Sequence, residues 1–435
     1  MSTIVADNLL IALYLLVWIA TFVWYHWRRH KLDAGSAIIG SYVVYAVFSI
    51  FSLNDDLFSI QYDPLRLFPF IYLYVMLMIA LSPTIHHHFH PVQQLGEPNT
   101  RILKPICWLL IICAIIQIPD IIQGFGDGIV KLFTDASAGL EAYNEHAEEA
   151  VDAGTAIRNI PAIIFNALYD ISIFLAFYYL SRKDRSIIFT IGTLFSAFIG
   201  LLIPIMKGER SIVITNLLTI ILGYMLFHEY ISKKIARWFR WVGIVALFLV
   251  LLPVAAITVS RFGERNAGVT GYVSWYVGQE NLYFNNCAMD AGGIRYGDRT
   301  MNLFKRLFDS SVPRNYTERR YKYSNLKIDD YYFTTFVGDF CLDFGPILAF
   351  VIFVVFNLWV LSNTSPHEGR LKLHQLLLIF FTACICIQGG MTLFAYSDGA
   401  NLKILVTLLL YAYLRYHDLL LEKFPLLKHL SDSSQ

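Results

Sequence analysis

Charge is scarce in this sequence: Asp, Glu, Lys and Arg make up 15% of 435 residues, while 56% are hydrophobic. A soluble globular chain needs a charged surface to cover its core, so this composition excludes an ordinary water-soluble domain. The first apolar run, residues 8–27, has no basic segment before it and no small-residue cleavage site after it. It therefore reads as an uncleaved first span rather than a signal peptide. The strict alternation of a membrane barrel is missing too, as are internal repeats and low-complexity linkers. The net charge of +1 says nothing about partners, because the charges are unevenly placed and their positions matter more than their sum; nucleic acid is not expected.

What the chain has instead is long apolar runs. A bilayer core of roughly 30 Å needs about 20 apolar residues per helix. Segments near 8–27, 36–53, 66–83, 104–123, 160–180, 186–206, 211–230, 241–260, 341–362, 374–394 and 400–416 meet that test. Only helices satisfy the backbone of such continuous runs in lipid, so the expected fold is an all-α polytopic membrane protein with about 11 transmembrane helices. Residues 1–435 form a single transmembrane domain in this reading. Short loops carrying Arg28, Arg29 and Lys31, then Arg182, Lys183 and Arg185, then Lys233, Lys234, Arg237 and Arg240, alternate with acidic or neutral ones. The positive-inside rule then puts the N-terminus outside and the C-terminus in the cytoplasm. Two outer loops are long: residues 124–159, acidic and expected to hold a short surface helix, and residues 261–340, the main soluble part.

The 261–330 stretch holds eleven basic residues and eight acids. Guanidinium forks bind two oxygens of a phosphate or pyrophosphate at once and do not deprotonate. Arg261 and Arg265 emerge directly from a span and read as an anion site at the membrane surface. Arg314, Arg319 and Arg320 read as solvated loop contacting headgroups. Lys207 and Arg210, in a tight outer turn allowed by Gly208, are either snorkelling anchors or partners of Arg261 on one headgroup. Asp339 and Asp343 are four apart at the outer mouth of a span, hence on one face of a helix. They could act as a general base or as caps of the helix N-terminus. The Asp343-Phe344-Gly345 triplet is shared with kinases, but no glycine loop or soluble lobe accompanies it.

Other signals carry less. Asp170, mid-span, is costly to bury and is therefore a functional candidate, or it holds helices together through a polar partner, the preferred reading of the two. His86, His87, His88 and His90 cluster on one loop and read as exposed histidines; no metal site is expected. Cys287 and Cys341 both fall on the outer side and could pair, which spacing does not decide. Asn315-Tyr316-Thr317 matches a glycosylation sequon, a short motif often met by chance.

Three stretches carry a resemblance. Lys207-Gly208-Glu209-Arg210-Ser211, the aromatic run Tyr272-Val273-Ser274-Trp275-Tyr276-Val277-Gly278 with Leu282-Tyr283-Phe284-Asn285, and Gly338-Asp339-Phe340 through Gly345 are similar to segments of Wzy-type repeat-unit polymerases (the O-antigen and capsular polysaccharide polymerase family). The resemblance implies a GT-C-like, O-antigen-polymerase-like fold in the bacterial inner membrane. It also implies a metal-independent glycosyltransferase with no cofactor, acting on oligosaccharide carried by undecaprenyl pyrophosphate. Membrane lipids, a flippase and a chain-length regulator are the partners it implies. A sugar hydroxyl of one repeat unit would attack the anomeric carbon of another chain, and the lipid pyrophosphate would leave. Lys207, Arg210, Arg261, Arg265 and Tyr276 would bind pyrophosphate and glycan, because negative charge gathers on the leaving group as the bond breaks. Ligases of related architecture use a loop histidine, yet no histidine lies between Glu229 and His367, so Asp339 or Asp343 would have to serve. An O-antigen-type ligase shares the leaving group. A lipid-linked saccharide transporter would call for inverted repeats and ionisable residues along the spans.

Overall fold

The computed structural model describes residues 3–89, 94–96, 100–124, 160–207, 209–263, 265–314, 316–366, 370–394 and 398–423. They are almost wholly helical: α1 (Thr3–Arg29), α2 (Ala34–Leu53), α3 (Leu67–Phe89), α4 (Thr100–Ile116), α5 (Ile118–Gly124), α6 (Ile160–Ser181), α7 (Ile187–Met206), α8 (Arg210–Phe227), α9 (Lys233–Phe262), α10 (Gly268–Tyr283), α11 (Asn302–Arg306), α12 (Tyr316–Lys322), α13 (Thr335–Phe344), α14 (Pro346–Thr364), α15 (Leu373–Gln388) and α16 (Gly399–Lys423). One short parallel pairing joins Gln94 to Arg370 and Leu95 to Leu371. The acidic helix expected in 124–159 lies outside the described residues.

This is an all-α, multi-pass membrane protein. Among the described residues nine helical stretches are long and apolar enough to cross a bilayer, rather than the eleven expected. The expected span at 374–394 is cut to 16 residues because α15 ends at Gln388. Immediately after it, Gly389 and Gly390 pass so close to the rings of Phe336 and Tyr45 that a Cβ on either would overlap them. The last expected span is a helix of ample length, but Lys403 and Arg415 lie within it. The span expected from 341 begins at Pro346, because Gly345 takes φ +78° and breaks α13 from α14.

The chain divides into two compact units. One comprises Met1–Phe89, Phe262–Ser362 and Thr382–Leu402; the other comprises His90–Arg261, Asn363–Phe381 and Lys403–Gln435. In the first, Asp33 opens α2 with a capping box: its carboxylate accepts from the Ser36 amide at 3.0 Å while the Ser36 hydroxyl receives the Asp33 N–H. Arg29 and Tyr25 also donate to Asp33, and His88 stands 3.7 Å from it. Among the described residues no group of three metal-ligating side chains forms.

The beginning of the 261–340 segment is not free loop. Helix α10 lies along α2, because Gly271, Ser274 and Gly278 fall at helical spacing on one face and let the two backbones meet. The Ser49 hydroxyl donates to the Gly278 carbonyl at 2.7 Å, and the Asn281 amide donates to Ser49 at 3.0 Å. A Cβ at Gly278 would sit 2.3 Å from the Phe48 carbonyl carbon, a backbone atom that cannot swing aside. Gly278→Ala is therefore expected to lower stability by about 1–3 kcal/mol, like other overpacked sites, read as a drop in the thermal unfolding midpoint in detergent. After α10, Asn285 and Asn286 each form a two-bond amide clamp. Asn285 grips both backbone groups of Arg66, at 2.9 and 2.7 Å, and Asn286 those of Asp63, at 3.1 and 2.9 Å.

In the second unit α6 is buried along most of its length. Gly200 and Gly223 make room for its Tyr169 and Phe177 rings. Leu201 and Ile205 of α7, Val213 of α8, and Val250 and Val254 of α9 form one apolar core. Asp170 meets Lys403 at 3.4 Å, the polar partner expected of a mid-span acid.

Candidate functional site: a buried arginine–aspartate cluster around α13

Helix α13 begins under constraint. Thr335, a β-branched residue, takes φ +64°, a conformation held only when its surroundings dictate it. They do here: the Thr335 and Phe336 amides donate to the carbonyls of Met391 and Gly389 at 3.0 and 2.8 Å. The Thr335 hydroxyl accepts the Gly338 amide at 3.3 Å. The first turn is thus satisfied, and α13 is aimed so that Asp339 and Asp343 share one buried face.

Opposite them come three arginines. Arg295 is fully buried and pairs with Asp330, with Asp343 at 2.7 Å and with Asp339 at 3.7 Å. Arg299 reaches Asp330 at 2.8 Å and Asp339 at 3.0 Å, and donates to the Phe394 carbonyl at 2.7 Å. Arg319 donates to Asp330 at 2.5 Å; among the described residues its two terminal nitrogens have no hydrogen-bond partner. Three guanidinium groups thus face three carboxylates with almost no water contact. Paired burial of this kind is tolerable only because the charges cancel and hydrogen-bond. Beside the cluster, Asp298 receives Lys305, Lys322 at 2.6 Å and the Tyr323 hydroxyl at 2.6 Å.

The three acids differ. Burial alone would raise the Asp330 carboxyl, but Arg299, Arg295 and Arg319 outweigh it and hold the group well below its ordinary value. Asp339 goes the other way: burial raises it to about 6, Arg299 and Arg295 opposing and the charges of Asp343 and Asp330 adding to the rise. Its Oδ2 has no hydrogen-bond partner among the described residues. Asp343 is engaged differently. Its Oδ2 accepts from the Arg299 amide at 3.2 Å and from the Thr300 amide and hydroxyl, each at 2.7 Å. It ties the turn before α11 to α13.

The other sequence-predicted residues fall as follows. Arg265 is exposed, its guanidinium over the Phe262 and Tyr272 rings at 5.6 and 5.4 Å. Tyr276 meets Phe333 edge-on, centroids 4.9 Å apart. Lys207 follows α7, Arg210 opens α8 and is buried, and Arg261 lies near the end of α9. The apolar core sets their relation. Val213 is one turn past Arg210, and Val254 is two turns short of Arg261. At 1.5 Å per residue the two cations stand about 5 and 10 Å beyond that shared level, at the end where α7 finishes. Lys207, Arg210 and Arg261 thus gather at one end of this unit.

One reading changes, one open question closes and one group of residues was missed. Arg319, expected on a solvated surface, is 1% exposed and bound to Asp330, while Arg314 and Arg320 are exposed. All six cysteines, Cys287 and Cys341 included, are free and buried, so that bridge is not formed. Sequence reasoning gave no role to Arg295, Arg299 or Asp330; the signal was there in two arginines four apart answering two aspartates four apart.

No protein-family profile, no curated protein and no solved structure matches the chain.

Proposed function

We propose that the protein is a polysaccharide polymerase of the bacterial inner membrane, joining oligosaccharide repeat units carried on undecaprenyl pyrophosphate at the outer face. The observation that supports this most is the gathering of Lys207, Arg210 and Arg261 at one end of an apolar helical unit. A lipid pyrophosphate needs such a place, with apolar helices for its chain and fixed cations for its head. The acceptor hydroxyl forms the new bond to the anomeric carbon, the bond to pyrophosphate breaks, and the electron pair leaves on the lipid pyrophosphate. The hydroxyl proton needs an acceptor. Asp339 suits that role better than Asp343, whose Oδ2 already holds three donors. In this reading the N-terminus lies outside and the C-terminus in the cytoplasm, the orientation that the positive-inside rule favours.

Purified protein incubated with a synthetic pyrophosphate-linked repeat unit is expected to give a ladder on a gel with release of lipid pyrophosphate. Unchanged substrate across well-folded preparations would sink the reading, and transfer only to a foreign acceptor, without a ladder, would mark a ligase instead. Arg210→Ala and Arg261→Ala are each expected to abolish the ladder while the protein stays in the membrane. Wild-type chain lengths from both would remove the pyrophosphate assignment.

A further inference from the structure

The turn around α11 carries apolar side chains where water would be a poor neighbour. Phe308 is 93% exposed, Leu307 72% and Tyr296 69%. They belong to one local structure: the Lys305 amine donates to the Tyr296 carbonyl at 2.9 Å, and Leu307 and Phe308 follow the last turn of α11 directly. Hydrophobic residues this exposed and this close together on a folded surface mark contact with something apolar.

Two tethers say what that is. On one side, Gly297 lies against the Phe344 ring, where a Cβ would come within 3.2 Å of it; Phe344 is two residues before α14, a membrane-crossing helix whose first turn exposes Ile347. On the other side, the Asn302 amide donates to Asp398 at 2.7 Å, the Leu303 amide to Asn401 at 3.2 Å, and the Asn401 amide to the Thr300 carbonyl at 2.8 Å. Those partners form the beginning of α16. The exposed group is therefore fixed at the level where α14 and α16 begin. A bilayer has its interface there, the depth at which aromatic and apolar side chains flanked by cations settle.

We propose that Leu307 and Phe308, with Tyr296, are a membrane anchor: they insert into the lipid leaflet beside the starts of α14 and α16 and hold the large loop against the bilayer. The occupant of this apolar surface is the acyl and headgroup region of the protein's own membrane, not another protein. The inference does not depend on the polymerase reading, since it concerns only where the turn rests.

The native cysteines are all buried, so a thiol-reactive nitroxide should favour one introduced at the turn. Phe308→Cys and, separately, Leu307→Cys would be labelled in the full chain, reconstituted in nanodiscs of phosphatidylethanolamine and phosphatidylglycerol. Ser324→Cys, at an exposed position in the same loop, serves as the aqueous reference, and unsubstituted protein gives the background. Labels at 307 and 308 are expected to collide more with oxygen, which concentrates in lipid, than with a water-soluble nickel chelate, and the 324 label the reverse. Inversion of that accessibility ratio supports the anchor. A 308 label as open to the nickel chelate as the 324 label overturns it. So does dipolar broadening between labels, because a second copy would then cover the turn.

Discussion

Asp330→Ala is expected to be the most damaging single substitution in the large loop, lowering stability by about 3–5 kcal/mol, the cost of leaving a buried charge without its partner. Among the described residues Asp330 is the one carboxylate that all three arginines of the cluster share, at 2.8 Å from Arg299 and 2.5 Å from Arg319 in addition to its pair with Arg295. Arg319 depends on it most, since its remaining nitrogens have no hydrogen-bond partner among the described residues. The expected observation is little monodisperse protein after detergent extraction, and a large fall in unfolding midpoint for whatever survives. Asp330→Asn, which keeps shape but not charge, should also destabilise. A midpoint equal to wild type in both variants would show that the cluster does not hold the loop.

Asp339→Asn, by contrast, is expected to spare stability at neutral pH, and to remove activity if Asp339 takes the acceptor proton. The folded-state value of Asp339 is raised to about 6 from an ordinary 3.8. Its contribution is therefore fully present below the unfolded value and is lost as pH rises through about 6. Asp330 is lowered, so its contribution is present above the unfolded value and lost as pH falls. The two limits meet at the ordinary carboxylate value, so these groups make the wild type most stable near about pH 4. An uncharged Asn at 339 removes the loss on the neutral side, on the order of 1–3 kcal/mol. The midpoint at pH 7.5 should then match or exceed that of wild type, and its fall between about pH 4 and 6 should vanish. If Asp339 takes the acceptor proton, the same folded variant yields no polymer ladder. A ladder of normal length would leave Asp339 as structure alone.

The spans were legible because a bilayer imposes a coarse rule: continuous apolarity over a fixed length. The rule failed where a local backbone feature intervened, at Gly345 with its positive φ and at the Gly389–Gly390 break. Asp339 and Asp343 could be placed on one face from spacing alone. What they face could not, because Arg295, Arg299, Arg319 and Asp330 arrive from turns and short helices whose paths no periodicity encodes. Arg319 is the clearest case. In sequence it is one of several cations in a polar stretch beside Arg320, yet the two neighbours part, one to the buried cluster and one to the exterior. Helix α10 was hidden for the opposite reason: its glycines and polar residues look like loop, and only contact with α2 makes them a packing face.

That packing face decides how far the large loop can be treated as a module. Gly278 is fitted to the backbone at Phe48, Asn281 to Ser49, and Asn285 and Asn286 to the chain at 63–66. Excising 261–340, or grafting it onto another bundle, would strip α2 of its neighbour and leave two amide clamps with nothing to grip. A chimera that exchanges loops has to carry α2 and the 63–66 turn along with the graft. Divergence of this loop is bound in the same way: its inner end can change only as fast as the helix beneath it.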